Sequence, residues 1–146
     1  MNINIKKRWK ADVGLDFVNS LSKRGKSGNG YQVTQSPFGI IPESDLLDLR
    51  GLVFPARTEW RRISINDADL KSADLSKALI ESSTFTRICF DNSSLKSVVD
   101  RKNIFDRCTF DCVGFNDAVL GYLGTRFLVP ESIGICLKAL GSVFNI

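Results

Sequence analysis

The chain repeats a pattern every five residues, a period that neither an α-helix nor a β-strand can use. Between Asn66 and Ser82 (NDADLKSADLSKALIES), the triplet Ala-x-Leu or Ala-x-Ile begins at Ala68, Ala73 and Ala78. Five residues turn a helix by a net angle of about 140°, so successive apolar residues would point to different sides. On a strand, a step of five reverses the face each time. The chain is therefore expected to turn once in every five residues.

The repeat extends well beyond this stretch. With Leu70 as the centre of one unit, sixteen units can be counted, with one extra residue near Arg57. The centres are Leu49, Phe54, Trp60, Ile65, Leu70, Leu75, Ile80, Phe85, Phe90, Leu95, Asp100, Phe105, Phe110, Phe115, Leu120 and Thr125. Fourteen of them are large and apolar, whereas no residue that directly follows a centre is large and aliphatic or aromatic. Only Asp100 and Thr125 depart from the rule, so the period of five governs more than half of the chain.

The units have the form A-D/N-L/F-x-x, as in 68–72 and 73–77, and they resemble those of the pentapeptide-repeat family. The resemblance covers about residues 47–127. It implies a mainly β fold, a right-handed quadrilateral β-helix with four pentapeptides in each coil and about four coils. Each coil of such a solenoid buries its interior by stacking on its neighbours. The family's motif packs a core and carries no catalytic residues, so the resemblance implies a fold and no enzymatic activity.

Stacking at intervals of twenty residues predicts four inner columns. They are Leu49, Leu70, Phe90 and Phe110; Phe54, Leu75, Leu95 and Phe115; Trp60, Ile80, Asp100 and Leu120; and Ile65, Phe85, Phe105 and Thr125. Asp100 takes a place in the third column where Leu or Ile is expected, and an unpaired buried carboxylate is costly. One interpretation turns Val99 inward and Asp100 outward. The other makes Asp100 a functional irregularity in a binding face.

Residues 1–46 are predicted to be a capping segment, because the open end of a solenoid would pair with other chains. A helix is expected over residues 11–22, a flexible loop over 23–30, and a strand and turn from Tyr31 onward. The apolar side of the helix would comprise Val13, Phe17, Val18 and Leu21.

Residues 128–146 are predicted to form a short C-terminal capping helix and a tail. Pro130 suits the first turn of a helix, and Ile133, Leu137 and Leu140 give an apolar stripe after it. This helix would cover the last coil.

Composition narrows the functional classes. The chain has no histidine, and its four cysteines form no Cys-x-x-Cys pair, so neither histidine-dependent catalysis, a metal site nor a cofactor is expected. No apolar run is long enough to cross a membrane. The basic N-terminal stretch lacks the apolar core of a secretory signal, so a cytoplasmic protein is expected.

Three aliphatic residues are predicted to stack at outward positions of the third face, where Asp or Asn is usual elsewhere in the repeat. Arginine, lysine and tyrosine surround this stripe, a composition typical of protein-binding patches. The residues predicted to contact a partner are Arg61, Arg62, Leu79, Val99, Arg101, Lys102, Val119 and Tyr122. The adjoining fourth face adds Arg87, Ile104, Arg107 and Arg126. The alternative interpretation is that the N-terminal segment folds back and covers the stripe.

The resemblance to this family suggests three classes of function. The first is a non-enzymatic protein-binding module, a bacterial immunity protein that binds and neutralises a cognate toxin domain. The second is protection of a topoisomerase (gyrase) by imitation of DNA, which requires a strongly negative surface. Residues 47–127 hold eleven acidic and twelve basic side chains, which argues against that class. The third is a secreted effector scaffold. Nucleic-acid binding by the basic N-terminus and Trp9 is less favoured than a solvated tail.

Overall fold

A computed structural model describes residues 4–122, 125–128 and 143–144 as a β-solenoid of about four turns, with parallel sheets and an N-terminal helix. Two helices come first, α1 (Asn4–Lys7) and α2 (Asp12–Ser27). The strands are β1 (Tyr31–Val33), β2 (Ile40–Ile41), β3 (Leu46–Asp48), β4 (Glu59–Arg61), β5 (Ile63–Asp69), β6 (Leu79–Glu81), β7 (Thr84–Cys89), β8 (Val99–Arg101), β9 (Ile104–Asp106), β10 (Val119–Tyr122), β11 (Arg126–Leu128) and β12 (Val143–Phe144). The fold is mainly β, as the sequence predicts.

The strands form two sheets. One has the order β11-β9-β7-β5-β3-β2, with β1 also paired to β5, and the other has the order β12-β10-β8-β6-β4. Apart from the antiparallel β2–β3 hairpin, the strand pairs of the described residues are parallel. In the middle of the solenoid, partners are twenty residues apart, as in Ile65 with Phe85 and Phe85 with Phe105. Earlier, Val53 pairs with Asp74, twenty-one residues on, which confirms the extra residue near Arg57.

A left-handed residue recurs every five positions. From Arg62 to Asp117, twelve successive corner residues have φ between 53° and 63°, and none of them is glycine. Each lies two residues after a centre. The fifteen predicted centres from Leu49 to Leu120 are all buried. The expectation of one turn in every five residues is therefore confirmed.

Aromatic rings stack between coils in the core. The rings of Phe85 and Phe105 lie 4.9 Å apart at 8°, and those of Phe90 and Phe110 lie 4.9 Å apart at 16°. Such pairs contribute about 0.5–1.5 kcal/mol each beyond the burial of their area. The in-register columns therefore stabilise the stack of coils.

Two kinds of corner join the short strands. At a closed corner the chain bonds to itself, as where the N–H of Ala73 donates to the carbonyl of Leu70 at 3.1 Å. At an open corner the next coil supplies the partner. The N–H of Ile63 donates to Ser83 Oγ at 3.1 Å, and that hydroxyl lies 3.2 Å from the carbonyl oxygen of Trp60.

The same arrangement continues one coil further. The N–H of Ser83 donates to Asn103 Oδ1 at 2.8 Å, and Asn103 Nδ2 donates to the carbonyl of Ile80 at 2.7 Å. The N–H of Asn103 then donates to Thr125 Oγ1 at 3.0 Å. Because buried backbone groups need partners, each open corner depends on a polar side chain from the following coil.

Helix α2 packs against the first coil, and its position corrects two predictions. It continues to Ser27, so the flexible loop predicted over 23–30 is wrong for most of its length. Its buried face is Gly14, Val18, Leu21 and Gly25, whereas Val13 is 57% exposed and does not belong to the apolar side. The two glycines let the helix approach its neighbours closely. Close packing, rather than helix breaking, explains why they are there.

Strand β1 confirms the strand predicted from Tyr31. It pairs with β5, so that Tyr31 lies beside Ile63 and Val33 beside Ile65. Val33 is buried and extends the fourth inner column by one position. The N-terminal segment thus adds both a helix and a strand to the start of the solenoid.

The last coil is longer than predicted. Val119 pairs with Val99, twenty residues back, but Arg126 pairs with Ile104 and Phe127 with Phe105, twenty-two residues back. The prediction that Thr125 is a fourth-column centre is therefore wrong, because two additional residues place Phe127 in that register. The C-terminal helix predicted from Pro130 lies outside the described residues. Within 128–146, strand β12 pairs in parallel with β10.

Candidate functional site

The predicted apolar stripe exists as three side chains in register on the five-stranded sheet. Leu79 lies beside Val99, and Val99 beside Val119, on the parallel strands β6, β8 and β10. Leu79 and Val99 are half-buried, and Val119 is 39% exposed. Adjacent strands lie about 4.8 Å apart, so the stripe is about 10 Å long on a rigid surface.

Helix α2 lies beside this stripe and leaves it accessible. The helix packs on β4, the strand at one edge of the sheet, where Gly25 touches the backbone of Glu59 and Trp60. Val119 is three strands away from that contact, and its exposure shows that the N-terminal segment does not cover it. The interpretation in which that segment folds back over the stripe is wrong for this end of it.

The two arginines on the strands are partly neutralised within the chain. Arg61 lies 3.4 Å from a carboxylate oxygen of Glu59, and Arg101 lies 3.8 Å from one of Glu81. Arg61, Glu81 and Arg101 also follow one another in register across β4, β6 and β8. This row alternates in charge, so it is not the uniformly cationic rim that the sequence suggested.

The uncompensated positive charge lies at the neighbouring corner. Arg62 and Lys102 occupy the left-handed corner positions, with φ of 54° and 56°, and their side chains are exposed. Within the described parts of the chain, neither forms an ion pair. Tyr122 lies in register with Arg101 on β10.

On the fourth face, two of the predicted arginines also have partners. Arg87 Nη2 donates to Asp67 at 2.9 Å, and Arg107 Nε donates to Asp106 at 3.2 Å. Arg126 is exposed beside half-buried Ile104. Acidic side chains thus offset much of the positive charge on this face.

Asp100 points into the core, so the interpretation that turned it outward is wrong. It is 1% exposed, pairs in register with Ile80, and leaves Val99 on the outer surface. Its Oδ1 accepts hydrogen bonds from Asn103 Nδ2 and, at 3.1 Å, from Thr125 Oγ1. These donors offset the cost of burying a carboxylate. Asp100 is therefore part of a buried polar cluster and does not belong to the outer binding face.

A second polar cluster, at the N-terminal end, was not predicted. Asp48 lies 3.2 Å from a nitrogen of Arg8 and 3.0 Å from Nε of Arg50. Burial opposes ionisation of Asp48, but the hydrogen bonds from Arg50 and Arg8 outweigh it and lower its pKa to about 2. Trp9 is 1% exposed and donates to the carbonyl of Arg50 at 2.7 Å. Trp9 is thus packed into the cap, and neither base stacking nor a solvated tail describes it.

The described residues offer no candidate metal site. Within 4–122, 125–128 and 143–144, no three cysteine, aspartate or glutamate side chains cluster as a metal site requires. Burial raises the pKa of the Cys108 thiol to about 12, which makes it a poor nucleophile. None of the helices in this part of the chain has the length and apolar character needed to cross a bilayer.

No protein-family model matches the sequence, and no match was found among curated proteins or solved structures. What the structure shows is a β-solenoid of about four turns with parallel sheets, and the resemblance to the pentapeptide-repeat family stays an expectation from the sequence.

Proposed function

We propose that the solenoid is a right-handed quadrilateral β-helix of the pentapeptide-repeat type. Two observations support this proposal. Left-handed corners recur every five residues, and strands pair with partners twenty residues away, which together correspond to four five-residue units in each coil.

We further propose that the chain is a non-enzymatic protein-binding module that neutralises a cognate toxin domain. The observation that carries this proposal is the in-register stripe of Leu79, Val99 and Val119 beside the exposed cations Arg62 and Lys102. An apolar centre with a charged rim is typical of protein interfaces. A rigid sheet also loses little conformational entropy when it binds.

The proposed partner presents an apolar patch bordered by carboxylates. Its carboxylates pair with Arg62 and Lys102, while the stripe packs against the patch and excludes water. Arg61 and Arg101 contribute less, because Glu59 and Glu81 already compensate them. Binding would block the toxin by occupying its surface, which requires no catalytic group on this chain.

The first test searches the genes that neighbour this one for a toxin domain and uses such a domain as the candidate partner. Co-expression should restore growth of cells that produce the toxin, and the two purified proteins should form a complex in size-exclusion chromatography. Val119→Asp should weaken the complex at least about tenfold, because it places a charge at the exposed end of the apolar stripe. Ile40→Asp is the matched control, since Ile40 is 57% exposed on a different part of the surface. Equal effects of the two variants would contradict the choice of surface.

The second test concerns the charges. Arg62→Glu and Lys102→Glu should each slow association and reduce its dependence on salt, because the pairing is electrostatic. Lys77→Glu is the control, because Lys77 is exposed at an equivalent left-handed corner with φ of 63°. Protection of gyrase without any effect on the toxin would contradict the proposed function itself.

A further inference from the structure

The last coil could in principle adopt two registers. In the register observed, Arg126 lies beside Ile104 and Phe127 beside Phe105, twenty-two residues apart. The spacing of twenty that holds in the middle coils would instead place residue 124 beside Ile104 and Thr125 beside Phe105.

The two registers do not differ in which side chains point inward. Successive residues of a strand alternate between its two faces, so a shift of two residues keeps every inward residue inward. The observed register places Phe127 beside Phe105 in the fourth inner column, whereas the shorter register would place Thr125 there, so the apolar column already favours the longer coil. A buried polar interaction adds to that preference.

Asp100 and Thr125 supply that interaction. Both side chains are 1% exposed, and Thr125 Oγ1 donates to Asp100 Oδ1 at 3.1 Å. The same hydroxyl oxygen accepts the N–H of Asn103 at 3.0 Å. In the shorter register Thr125 would move along its strand by two residues, about 6.6 Å, and both hydrogen bonds would be lost.

We propose that Asp100 and Thr125 are a register-determining pair, which selects the longer last coil over the alternative spacing of twenty. A single buried polar contact that specifies register is a well-attested use of such groups. The pair thereby decides that Arg126, and not residue 124, lies beside Ile104 on the outer surface. This inference concerns the fold of the last coil and is independent of the proposed function.

The test is Thr125→Val, which keeps the shape of the side chain and removes the hydroxyl. In the full chain labelled with ¹⁵N, NMR should show a second set of signals for β11, with cross-strand contacts between residues 104 and 124. The Arg126 amide, which donates to the carbonyl of Asn103 at 2.8 Å, should exchange its hydrogen at least tenfold faster. Thr125→Ser should retain the observed register alone, since it keeps the hydroxyl.

Thr84→Val is the control, because Thr84 lies half-buried at an outward position of β7. A single, unchanged register in Thr125→Val would overturn the proposal. Faster exchange without a second register would overturn it as well, because loss of an ordinary stabilising hydrogen bond predicts that result. If Thr125→Val does not fold, Thr125→Ala provides the same comparison.

Discussion

Replacement of Gly25 by alanine should loosen the docking of helix α2 on the first coil. A Cβ atom at this position would lie 2.2 Å from the carbonyl oxygen of Glu59 and 3.0 Å from Cα of Trp60, whereas ordinary contacts begin at 3.4 Å. The nearest atoms belong to the backbone of β4 and cannot rotate away. The helix must therefore move by about 1 Å, which loosens the packing of Val18 and Leu21.

The expected cost follows from two opposing effects. Insertion of a methyl group into a packed region costs about 1–3 kcal/mol. Alanine recovers about 0.5–1 kcal/mol because it favours the helix over glycine. Since the obstruction is backbone, we expect the upper part of the range and a net loss of about 2 kcal/mol in the free energy of unfolding. For a chain of this size, that corresponds to a decrease of about 4–8 °C in Tm.

Urea unfolding followed by tryptophan fluorescence is a suitable assay. Trp60 lies directly below Gly25, and Trp9 belongs to the same cap, so both buried indoles report on this region. Gly114→Ala is the matched control, because a Cβ there has no neighbour within 4 Å and its φ is not positive. If Gly25→Ala and Gly114→Ala have the same midpoint as the wild type, the docking of α2 on β4 is wrong.

Three further predictions concern the cap, the thiols and the core. Because the pKa of Asp48 is lowered to about 2, the stabilisation that ionised Asp48 gives the folded protein is complete above pH 4 and is lost as the pH falls through 2. Relative to Asp48→Asn, the wild type should therefore lose about 1–2 kcal/mol of unfolding free energy between pH 4 and pH 2, as measured by urea unfolding at each pH. In a Cys136→Ser variant, a thiol reagent at pH 8 should label the exposed Cys112 in the native protein but react with the buried Cys108 only after unfolding. Rapid labelling of Cys108 in the native protein would contradict its burial. Phe85→Ala should cost about 3–5 kcal/mol in urea unfolding, and a loss below about 1 kcal/mol would show that the stacked column is not a packed core.

The repeat could be predicted from the sequence because its rule is simple. A corner every five residues forces the centres inward, and residues such as Leu70 and Phe90 are apolar for that reason. The stripe of Leu79, Val99 and Val119 followed from the same count. Periodicity therefore located both the core and the outward rows of the sheet.

Other features depend on contacts between distant residues. The sequence places Gly25 in a loop, because the carbonyl that requires glycine belongs to Glu59 in another element. The period of five assigns Thr125 to a centre, so the sequence does not reveal that Thr125 donates to Asp100 and allows it to point inward. The pattern of apolar residues does not reveal the two additional residues of the last coil, because a shift of two residues leaves the same side chains of a strand pointing inward.

The compensation of the candidate cations was missed for a similar reason. Glu81 lies one coil away from Arg101 and shares its row only after the solenoid forms. Counting charges along a face does not reveal which of them already have partners. Exposed corner residues such as Arg62 could have been favoured from the start, because a corner projects beyond the row on either side.

The open corners have a consequence for synthesis of the chain on the ribosome. The N–H of Ile63 forms its hydrogen bond with Ser83, and the N–H of Ser83 forms its own with Asn103. Each of these corners is therefore completed by a residue that is synthesised twenty positions later. At about 5–20 residues per second, that delay is about 1–4 s for each coil. The nascent solenoid therefore carries one unfinished corner at its growing end, which closes as the next coil emerges.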